Sequence, residues 1–269
     1  MASKSSKKID RKLFVGGVGV FGGSKKQVLE MVAEQLVSGR KNENHEPLLV
    51  TTPNPEQVVL AQFNDTFRSI LNDSLAVADG VGLVWAANLV ARKKRVGIQE
   101  ERITGIDLAE EIVGLCKARG NRVLLLGGEE GIASRASERF QDNESESGFK
   151  VVGLSGYKDV RNQASSETKA IFEQIKDFKP GGLLVGYGAP WQEEWIWNYR
   201  QELGRLGLKV TMVVGGSLDV WAGKVSRAPK WMREFGLEWL WRLMRQPWRW
   251  KRQLRLFSFV KMVVGEWFR

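Results

Sequence analysis

Asp79 is the acidic residue around which the chemistry of this sequence is best organised. It follows the short apolar run at 74–77 and precedes Gly80 and Gly82, so it stands where a predicted buried strand ends and a glycine turn begins. In an open α/β sheet, ligands bind in the crevice outside the carboxyl ends of the strands. A carboxylate there can act as a general base, or it can form a turn or cap the helix predicted from residue 83. The local sequence leaves both interpretations open.

Few other reactive side chains are available. The 269 residues include one cysteine, Cys116, and one histidine, His45. An internal disulfide framework is therefore excluded. One cysteine and one histidine also offer few ligands for a zinc site and few partners for Cys–His or Ser–His catalysis. Acid–base chemistry falls to carboxylates, lysine, tyrosine or bound water. We interpret His45 as part of a solvated polar loop, and the single cysteine suits a reducing cytoplasm.

Three strand–glycine–helix junctions are predicted at the same edge of the sheet as Asp79. Their backbone N–H groups can hold a diphosphate at a helix N-terminus. Thr52 and Asn54 follow the predicted strand at 48–51 and reach the same edge, so the sequence predicts a polar-rimmed crevice there. The three junctions contain Gly128, Gly186 and Gly215.

A literal G-x-G-x-x-G motif occupies residues 17–22, after a predicted strand at 13–15 and before a predicted helix at 25–38. A dinucleotide site also needs an acidic residue at the end of the next strand. That strand ends in Thr51, Thr52 and Pro53, without a carboxylate. The motif is therefore interpreted as a plain glycine-rich turn, and an NAD-dependent oxidoreductase is kept only as an alternative.

Strands and helices alternate along the body of the chain. This alternation predicts an α/β fold with a Rossmann-like, mostly parallel sheet flanked by helices. No apolar run reaches the ~18 residues of a membrane-spanning helix. We predict three parts: a disordered basic tail at 1–12, an α/β catalytic core at 13–222, and a basic, Trp-rich helical appendage at 223–269. Further strands are predicted at 122–126, 150–154, 182–185 and 209–214, and further helices at 56–71, 108–118, 132–140, 165–178 and 193–206.

The net charge of +10 is concentrated in residues 226–269, which hold eleven Lys/Arg, three Asp/Glu and six of the eleven tryptophans. An anionic partner is implied, either nucleic acid or an anionic membrane surface. Basic residues beside tryptophan and aliphatic residues favour a membrane interface, and no nucleic-acid module accompanies them. A solvated basic face on a docked helix is the alternative. Pro247 predicts a kink or two short helices in a stretch whose arginines recur at helical spacing: Arg242, Arg245, Arg249 and Arg252.

Several short motifs follow one another along the chain. They are TPNPE at 52–56, DGVG at 79–82, ERITGID at 101–107, LGG at 126–128, GYGAPWQE at 186–193, GGSLD at 215–219, AG at 222–223, RAP at 227–229 and GLEWLWRL at 236–243. In this order they resemble the WecG/TagA/CpsF family, glycosyltransferase family 26, over residues 12 to about 251. The glycine-rich residues 16–23 are unusual for the family, and the tail at 253–269 is longer and more apolar than the family pattern.

The resemblance implies an inverting glycosyltransferase that needs neither metal nor cofactor. Such enzymes move N-acetylmannosamine, or its uronic acid, from a UDP-sugar to an undecaprenyl-diphosphate-linked N-acetylglucosamine in bacterial cell-surface polysaccharide or teichoic acid synthesis. By resemblance, Asp79 is the base that deprotonates the acceptor hydroxyl. Thr52 and Gln192 match positions that contact substrate. The candidate substrate-binding set is completed by Asn54, Gly128, Gly186, Gly215 and Asp219.

The resemblance also implies a role for the basic C-terminal segment. Arg242, Arg249 and Arg252 match arginines of an appendage that closes over the active site in the family. This appendage also meets the anionic membrane surface on the inner face of the plasma membrane, and it is linked to a shift from a homo-oligomer to a monomer. No nucleic-acid partner is expected. A peripheral membrane or nucleic-acid binding protein without enzymatic activity is the non-enzymatic alternative.

Overall fold

A computed structural model describes residues 12–37, 45–94, 103–141, 149–247 and 250–268, without the side chains of 251–253. The chain divides into two compact units. The first comprises Met1–Lys25, Thr52–Thr104 and Ser226–Arg269, and the second comprises Lys26–Thr51 and Gly105–Val225. The predicted division into tail, core and appendage uses boundaries that differ from those of the two compact units, and it stays a prediction.

The elements follow one another along the chain as strands β1 to β8 and helices α1 to α12. They are β1 (Lys12–Val15), β2 (Val18–Phe21), α1 (Lys25–Val37), β3 (Leu48–Thr51), α2 (Pro55–Leu60), α3 (Asp65–Asp73), β4 (Leu75–Ala76), α4 (Val81–Lys94), α5 (Gly105–Ala118), β5 (Val123–Gly127), α6 (Ile132–Glu138), β6 (Val151–Leu154), α7 (Ser165–Phe178), β7 (Gly182–Gly186), α8 (Trp191–Arg205), β8 (Val210–Val213), α9 (Ser217–Trp221), α10 (Lys230–Glu234), α11 (Glu238–Arg245) and α12 (Trp250–Trp267).

The second unit is built on parallel strands. Five of them lie side by side in the order β3–β8–β7–β5–β6. The register places Val185 beside both Leu126 and Val213, so the carboxyl ends of these strands reach one edge. The side chains of β5 and β8 are buried throughout, as expected for a parallel sheet covered by helices on both faces. Helices α5, α6 and α8 pack on these strands. The predicted α/β fold with a mostly parallel sheet is confirmed.

The first unit begins with an antiparallel hairpin that the sequence did not suggest. Strands β1 and β2 pair with Val15 opposite Val18, so Gly16 and Gly17 form a two-residue turn. Their φ values of +56° and +70° suit the tight turns that connect hairpin strands. The G-x-G-x-x-G motif therefore lies in the turn, in β2 and in the residue that follows β2, with no strand–turn–helix phosphate loop. The oxidoreductase alternative loses the feature on which it rested.

The helix predicted at 56–71 is two helices, α2 and α3. The side chain of Asn64 accepts a hydrogen bond from the backbone N–H of Phe67 at 2.9 Å and so caps α3. Asp65 follows as the first helical residue, where a carboxylate is favoured by the helix dipole. This capping pair supplies the start signal of the second helix, which the continuous prediction overlooked.

His45 differs from the solvated loop residue that the sequence predicted. It is half-buried, and its ring Nε2 lies 3.2 Å from Gln35 Nε2 of α1. Its backbone passes so close to Gly204 of α8 that a side chain at Gly204 would collide with the carbonyl group of His45. The packing of the chain on α8 therefore withdraws His45 from solvent.

The basic C-terminal segment forms α10, α11 and α12. Helix α11 ends at Arg245 and α12 begins at Trp250, so the predicted break near Pro247 is confirmed. Within the first unit, α12 packs on α2. Among the described residues, no helix combines the length and apolar character needed to cross a bilayer.

Candidate active site

Asp79 is placed by its backbone at the start of α4. Its N–H donates to the carbonyl oxygen of Pro53 at 2.8 Å, and its side chain is half-buried. Gly80 follows with φ of +83°, a conformation that favours glycine, although a Cβ there would meet nothing within 4 Å. Gly80 is therefore required by the turn rather than by crowding. The turn directs the chain from β4 through Asp79 into α4.

The segment leading into α2 lies against Asp79. Asn54 caps α2: its side chain accepts from the N–H of Gln57 at 3.0 Å, and the Gln57 side chain accepts from the N–H of Asn54 at 3.0 Å. A Cβ on Gly82 would lie 3.1 Å from Pro55, so α4 starts close to α2. Since Pro53 bonds to Asp79, the structure brings Thr52, Asn54 and Asp79 together. The side-chain oxygen of Asn54 is engaged in the cap.

The arginine positions belong to the same unit as Asp79. Arg242 is half-exposed on α11, where the neighbouring Arg245 guanidinium lies 4.8 Å from the ring centre of Trp241. The indole N–H of Trp241 donates to the carbonyl oxygen of Ser226 at 3.0 Å. Arg249 lies outside the described residues, and for Arg252 only the backbone, within α12, is described.

The glycine junctions of the second unit meet one another. The N–H of Gly128 donates to the carbonyl oxygen of Gly186 at 3.2 Å. A Cβ on Gly186 would lie 2.9 Å from the carbonyl oxygen of Gly215 and 2.5 Å from Leu218. These contacts gather the ends of β5, β7 and β8 as the sequence predicted. The absence of side chains at these positions lets the strand-end loops approach this closely.

Gln192 joins two of these loops. Its side-chain oxygen accepts from the N–H of Gly188 and from the N–H of Gly215, each at 3.1 Å. Its amide nitrogen donates to Glu193 Oε1 at 3.0 Å, and Gln192 is only 3% exposed. What the structure shows for Gln192 is a buried brace between the ends of β7 and β8. Substrate contact by Gln192 stays a prediction.

Glu193 is a residue that sequence reasoning missed. It is fully buried in α8, and this burial raises its pKa to about 7. Its hydrogen bond from Gln192 acts in the opposite direction but is the smaller effect. The signal was available: Ile196 and Leu203 follow Glu193 at helical spacing and are buried as well.

Lys224 is a second missed residue. Its ammonium group lies 2.7 Å from Glu129, in the loop after Gly128, and 3.8 Å from Asp219 of α9. The hydrogen bond with Lys224 holds the pKa of Glu129 below its usual value and raises the pKa of Lys224. Asp219 is thus half of an ion pair, and its predicted substrate contact stays a prediction.

The chain belongs to the WecG/TagA/CpsF family of glycosyl transferases, whose pattern it matches over residues 14–269. The protein is therefore a glycosyltransferase. One relative is the N-acetylglucosaminyldiphosphoundecaprenol N-acetyl-beta-D-mannosaminyltransferase of Bacillus subtilis (strain 168), 30% identical over 223 residues, 81% of this chain and 79% of the relative. The protein of the same name from Staphylococcus aureus (strain MRSA252) is 32% identical over 232 residues, 86% of this chain and 84% of that protein. The oxidoreductase and nucleic-acid alternatives find no support in these comparisons.

Proposed function

We propose that the protein transfers N-acetylmannosamine from a UDP-sugar to an undecaprenyl-diphosphate-linked N-acetylglucosamine. The observation that carries the proposal is the family match over residues 14–269, together with two relatives that bear the name of this activity. The cluster of Asp79 with Thr52 and Asn54 at the end of β4 supports it, because the transfer needs a carboxylate in a polar setting.

The proposed reaction is a single displacement at the anomeric carbon. The acceptor hydroxyl attacks from the face opposite the UDP group, and the new C–O bond forms as the bond to the UDP oxygen breaks. The configuration at that carbon is inverted, and the hydroxyl proton passes to the carboxylate of Asp79. General-base catalysis of this kind contributes about 10²–10⁴-fold in rate. Asp79 is half-buried, so part of this residue is open to solvent.

The departing diphosphate needs positive charge. In this proposal Arg242, Arg249 and Arg252 supply it, because a guanidinium can hold two phosphate oxygens at once. Stabilisation of developing negative charge by fixed donors is worth roughly a hundredfold or more. Arg242 and the Arg252 backbone belong to the same compact unit as Asp79. Independence from metal and from any cofactor is part of the proposal.

In this proposal the glycine junctions shape the substrate site and do not donate hydrogen bonds to the diphosphate. The N–H of Gly128 already donates to Gly186, and the N–H groups of Gly188 and Gly215 already donate to Gln192. A diphosphate held by those N–H groups would have to displace these bonds. At Gly188 a Cβ would meet nothing within 4 Å, and in this proposal that open space at the end of β7 receives part of the UDP-sugar. Substrate contact by Asp219 and substrate contact by Thr52 each stay predictions.

The exposed apolar side chains of α12 support attachment to the inner face of the plasma membrane. Phe259 and Val263 are each 2% exposed, whereas a second stripe of the same helix faces outward. Exposed tryptophans on α10 and α11 and the surplus of Lys/Arg add to this surface. Such a pattern suits a helix lying in an anionic membrane interface. The outward stripe contains Leu254, Phe257, Val260 and Val264. A homo-oligomer that becomes monomeric at the membrane stays a prediction.

The experiment that tests the function is UDP release from a panel of UDP-sugars. The reaction contains a short-chain lipid-diphosphate-N-acetylglucosamine acceptor and EDTA. We expect acceptor-dependent release with UDP-N-acetylmannosamine, and its persistence in EDTA would support metal independence. No release with any donor, despite measurable UDP binding, would contradict the proposal. Release with another UDP-sugar only would keep the reaction class and reject the donor.

A further inference from the structure

The glycine hairpin and helix α12 are joined through a carboxylate. The N–H of Gly16 donates to both side-chain oxygens of Glu266, at 3.0 and 3.2 Å. A Cβ on Gly16 would lie 2.5 Å from the sulfur of Met262, one helical turn before Glu266. Helix α12 therefore lies directly on the hairpin turn. Glycine at position 16 is required by the turn, with φ of +56°, and a side chain there would force the end of the Met262 side chain to shift.

The hairpin turn is itself fixed by side chains from α3 and the segment before it. Gln62 donates to the carbonyl oxygen of Gly16 at 2.6 Å. Asn72 donates to the carbonyl oxygen of Gly17 at 3.0 Å and accepts from the N–H of Gly19 at 2.8 Å. With both carbonyl groups of the turn held in place, the N–H of Gly16 is presented to Glu266 in a fixed direction.

Helix α12 is also held elsewhere along its length. Arg255 lies 3.3 Å from Glu56, which stands in the first turn of α2, two residues after Asn54. Near the other end, Lys93 donates to the carbonyl oxygen of Trp267 at 2.8 Å and lies 5.7 Å from the centre of its ring. The beginning of α12 is thereby held close to the part of α2 that adjoins Asp79.

We propose that Glu266 and Gly16 form a positioning pair that sets the register of α12 along α2 and so places Arg252 for the transfer reaction. The catalytic part rests on the proposed function, because the role of Arg252 comes from it. Glu266 and Arg252 stand on one rigid helix, about 21 Å apart at 1.5 Å per residue. A slip of one helical turn would move Arg252 by about 5.4 Å, which a hydrogen bond to phosphate does not tolerate.

The pair is tested first by amide hydrogen exchange on the full-length protein. Glu266→Ala removes both acceptor oxygens, so we expect exchange at Gly16 and along α12 to become about tenfold faster or more, the loss expected for a charge-assisted hydrogen bond. Glu266→Gln keeps one acceptor oxygen and should give an intermediate rate. Exchange along α12 that is unchanged in Glu266→Ala would overturn the proposal.

The hairpin offers a matched pair of variants. Gly16→Ala and Gly17→Ala both place a side chain at positive φ, but only the Gly16 side chain would collide with Met262 of α12. The nearest atom to a Cβ on Gly17 is the Cδ atom of Arg68, at 3.6 Å. We expect Gly16→Ala to release α12 in hydrogen exchange and Gly17→Ala to leave it protected. Equal release in both variants would overturn a role specific to Gly16.

Kinetics then separate positioning from mere stability. We expect Glu266→Ala and Gly16→Ala to lower kcat about tenfold, with less than a threefold change in KM for the UDP-sugar, and Glu266→Gln to restore part of kcat. Release of α12 with unchanged kcat would overturn the positioning role. If the unaltered protein shows no transfer, the proposed function and the catalytic half of this proposal both fail. The hydrogen-exchange result still decides whether the pair holds α12.

Discussion

The backbone N–H of Asp79 donates to the carbonyl oxygen of Pro53 at 2.8 Å. Pro53 lies between Thr52 and Asn54, so this one bond ties Asp79, three residues after the end of β4, to the segment that enters α2. The capping box of Asn54 and Gln57 makes that segment rigid. The backbone of Asp79 is thereby fixed to a rigid segment, which suits a residue whose carboxylate works as a base.

Replacement of Asp79 tests its role as the base. Asp79→Asn keeps the backbone bond to Pro53 and removes the proton acceptor, so we expect transfer to fall by about 10²-fold or more. UDP binding should change less than threefold, measured by calorimetry alongside the UDP-release assay. Asp73→Asn, at an exposed carboxylate in α3, is the control and should remain active. Near-normal turnover of Asp79→Asn would remove Asp79 from the mechanism.

Gln192 is predicted to be needed for the stability of the strand-end loops. Gln192→Ala leaves the N–H groups of Gly188 and Gly215, both at half-buried residues, without their acceptor, and a donor left unsatisfied in a fully buried site costs about 1–3 kcal/mol. We expect the free energy of unfolding to fall by roughly 2–4 kcal/mol, measured by urea denaturation. Gln163→Ala, at an exposed glutamine, should change it by about 0.5 kcal/mol or less. A loss that small for Gln192→Ala would contradict the brace.

Glu193 predicts a dependence of stability on pH. Its pKa is about 7 in the folded protein, against an ordinary value of 4.5. Between those values the folded state binds more protons than the unfolded state, so this carboxyl makes the free energy of unfolding decrease as the pH rises from about 4.5 to about 7, by roughly 3 kcal/mol in total. Above that range its effect is constant.

Chemical denaturation across this pH range measures the effect. Glu193→Gln cannot ionise and should lack the decrease that the unaltered protein shows, while its side-chain oxygen can still accept from Gln192. Glu194→Gln, at the adjacent half-buried position, is the matched control and should keep the decrease. Parallel stability curves for the unaltered protein and Glu193→Gln would show that Glu193 is charged in the folded state.

The outward stripe of α12 predicts binding to anionic vesicles. Phe257 is 75% exposed, and burying a phenylalanine in a bilayer interface contributes about 1.5–3 kcal/mol, so Phe257→Asp should weaken binding tenfold or more. Phe63→Asp is the control, because Phe63 is 86% exposed but lies between α2 and α3. Sedimentation with phosphatidylglycerol vesicles measures both variants. Equal weakening by the two substitutions would argue against a specific surface on α12.

Much of the second unit was predictable from sequence because its buried strands are short apolar runs bounded by glycine or polar residues. Helix α7 occupies the predicted residues, and β5 and β7 differ from prediction by single residues at their ends. Such runs are separated by helices at nearly every step, and this alternation restricts the sheet to parallel pairing. The strand-end glycines could be placed at one edge for the same reason.

The first unit was less predictable because its contacts join distant residues. Glycines at 17, 19 and 22 imitate a phosphate loop, and only the pairing of Val15 with Val18 identifies a hairpin. The bond between Gly16 and Glu266 joins residues 250 positions apart, which no local pattern reveals. The burial of Glu193 was visible as helical spacing, but a carboxylate at a buried position runs against the usual preference for apolar residues.

The composition of the first unit has a consequence for the order in which the protein folds. Its segments are Met1–Lys25, Thr52–Thr104 and Ser226–Arg269, so α12 leaves the ribosome long after the hairpin on which it rests. All segments of the second unit have been synthesised by Val225, before α12, whereas the hairpin turn and α2 receive α12 only at the end of synthesis. Contacts between residues so far apart form slowly, and apolar surface stays exposed meanwhile. During this interval the surfaces of α2 and the hairpin turn that α12 later covers remain accessible to a chaperone.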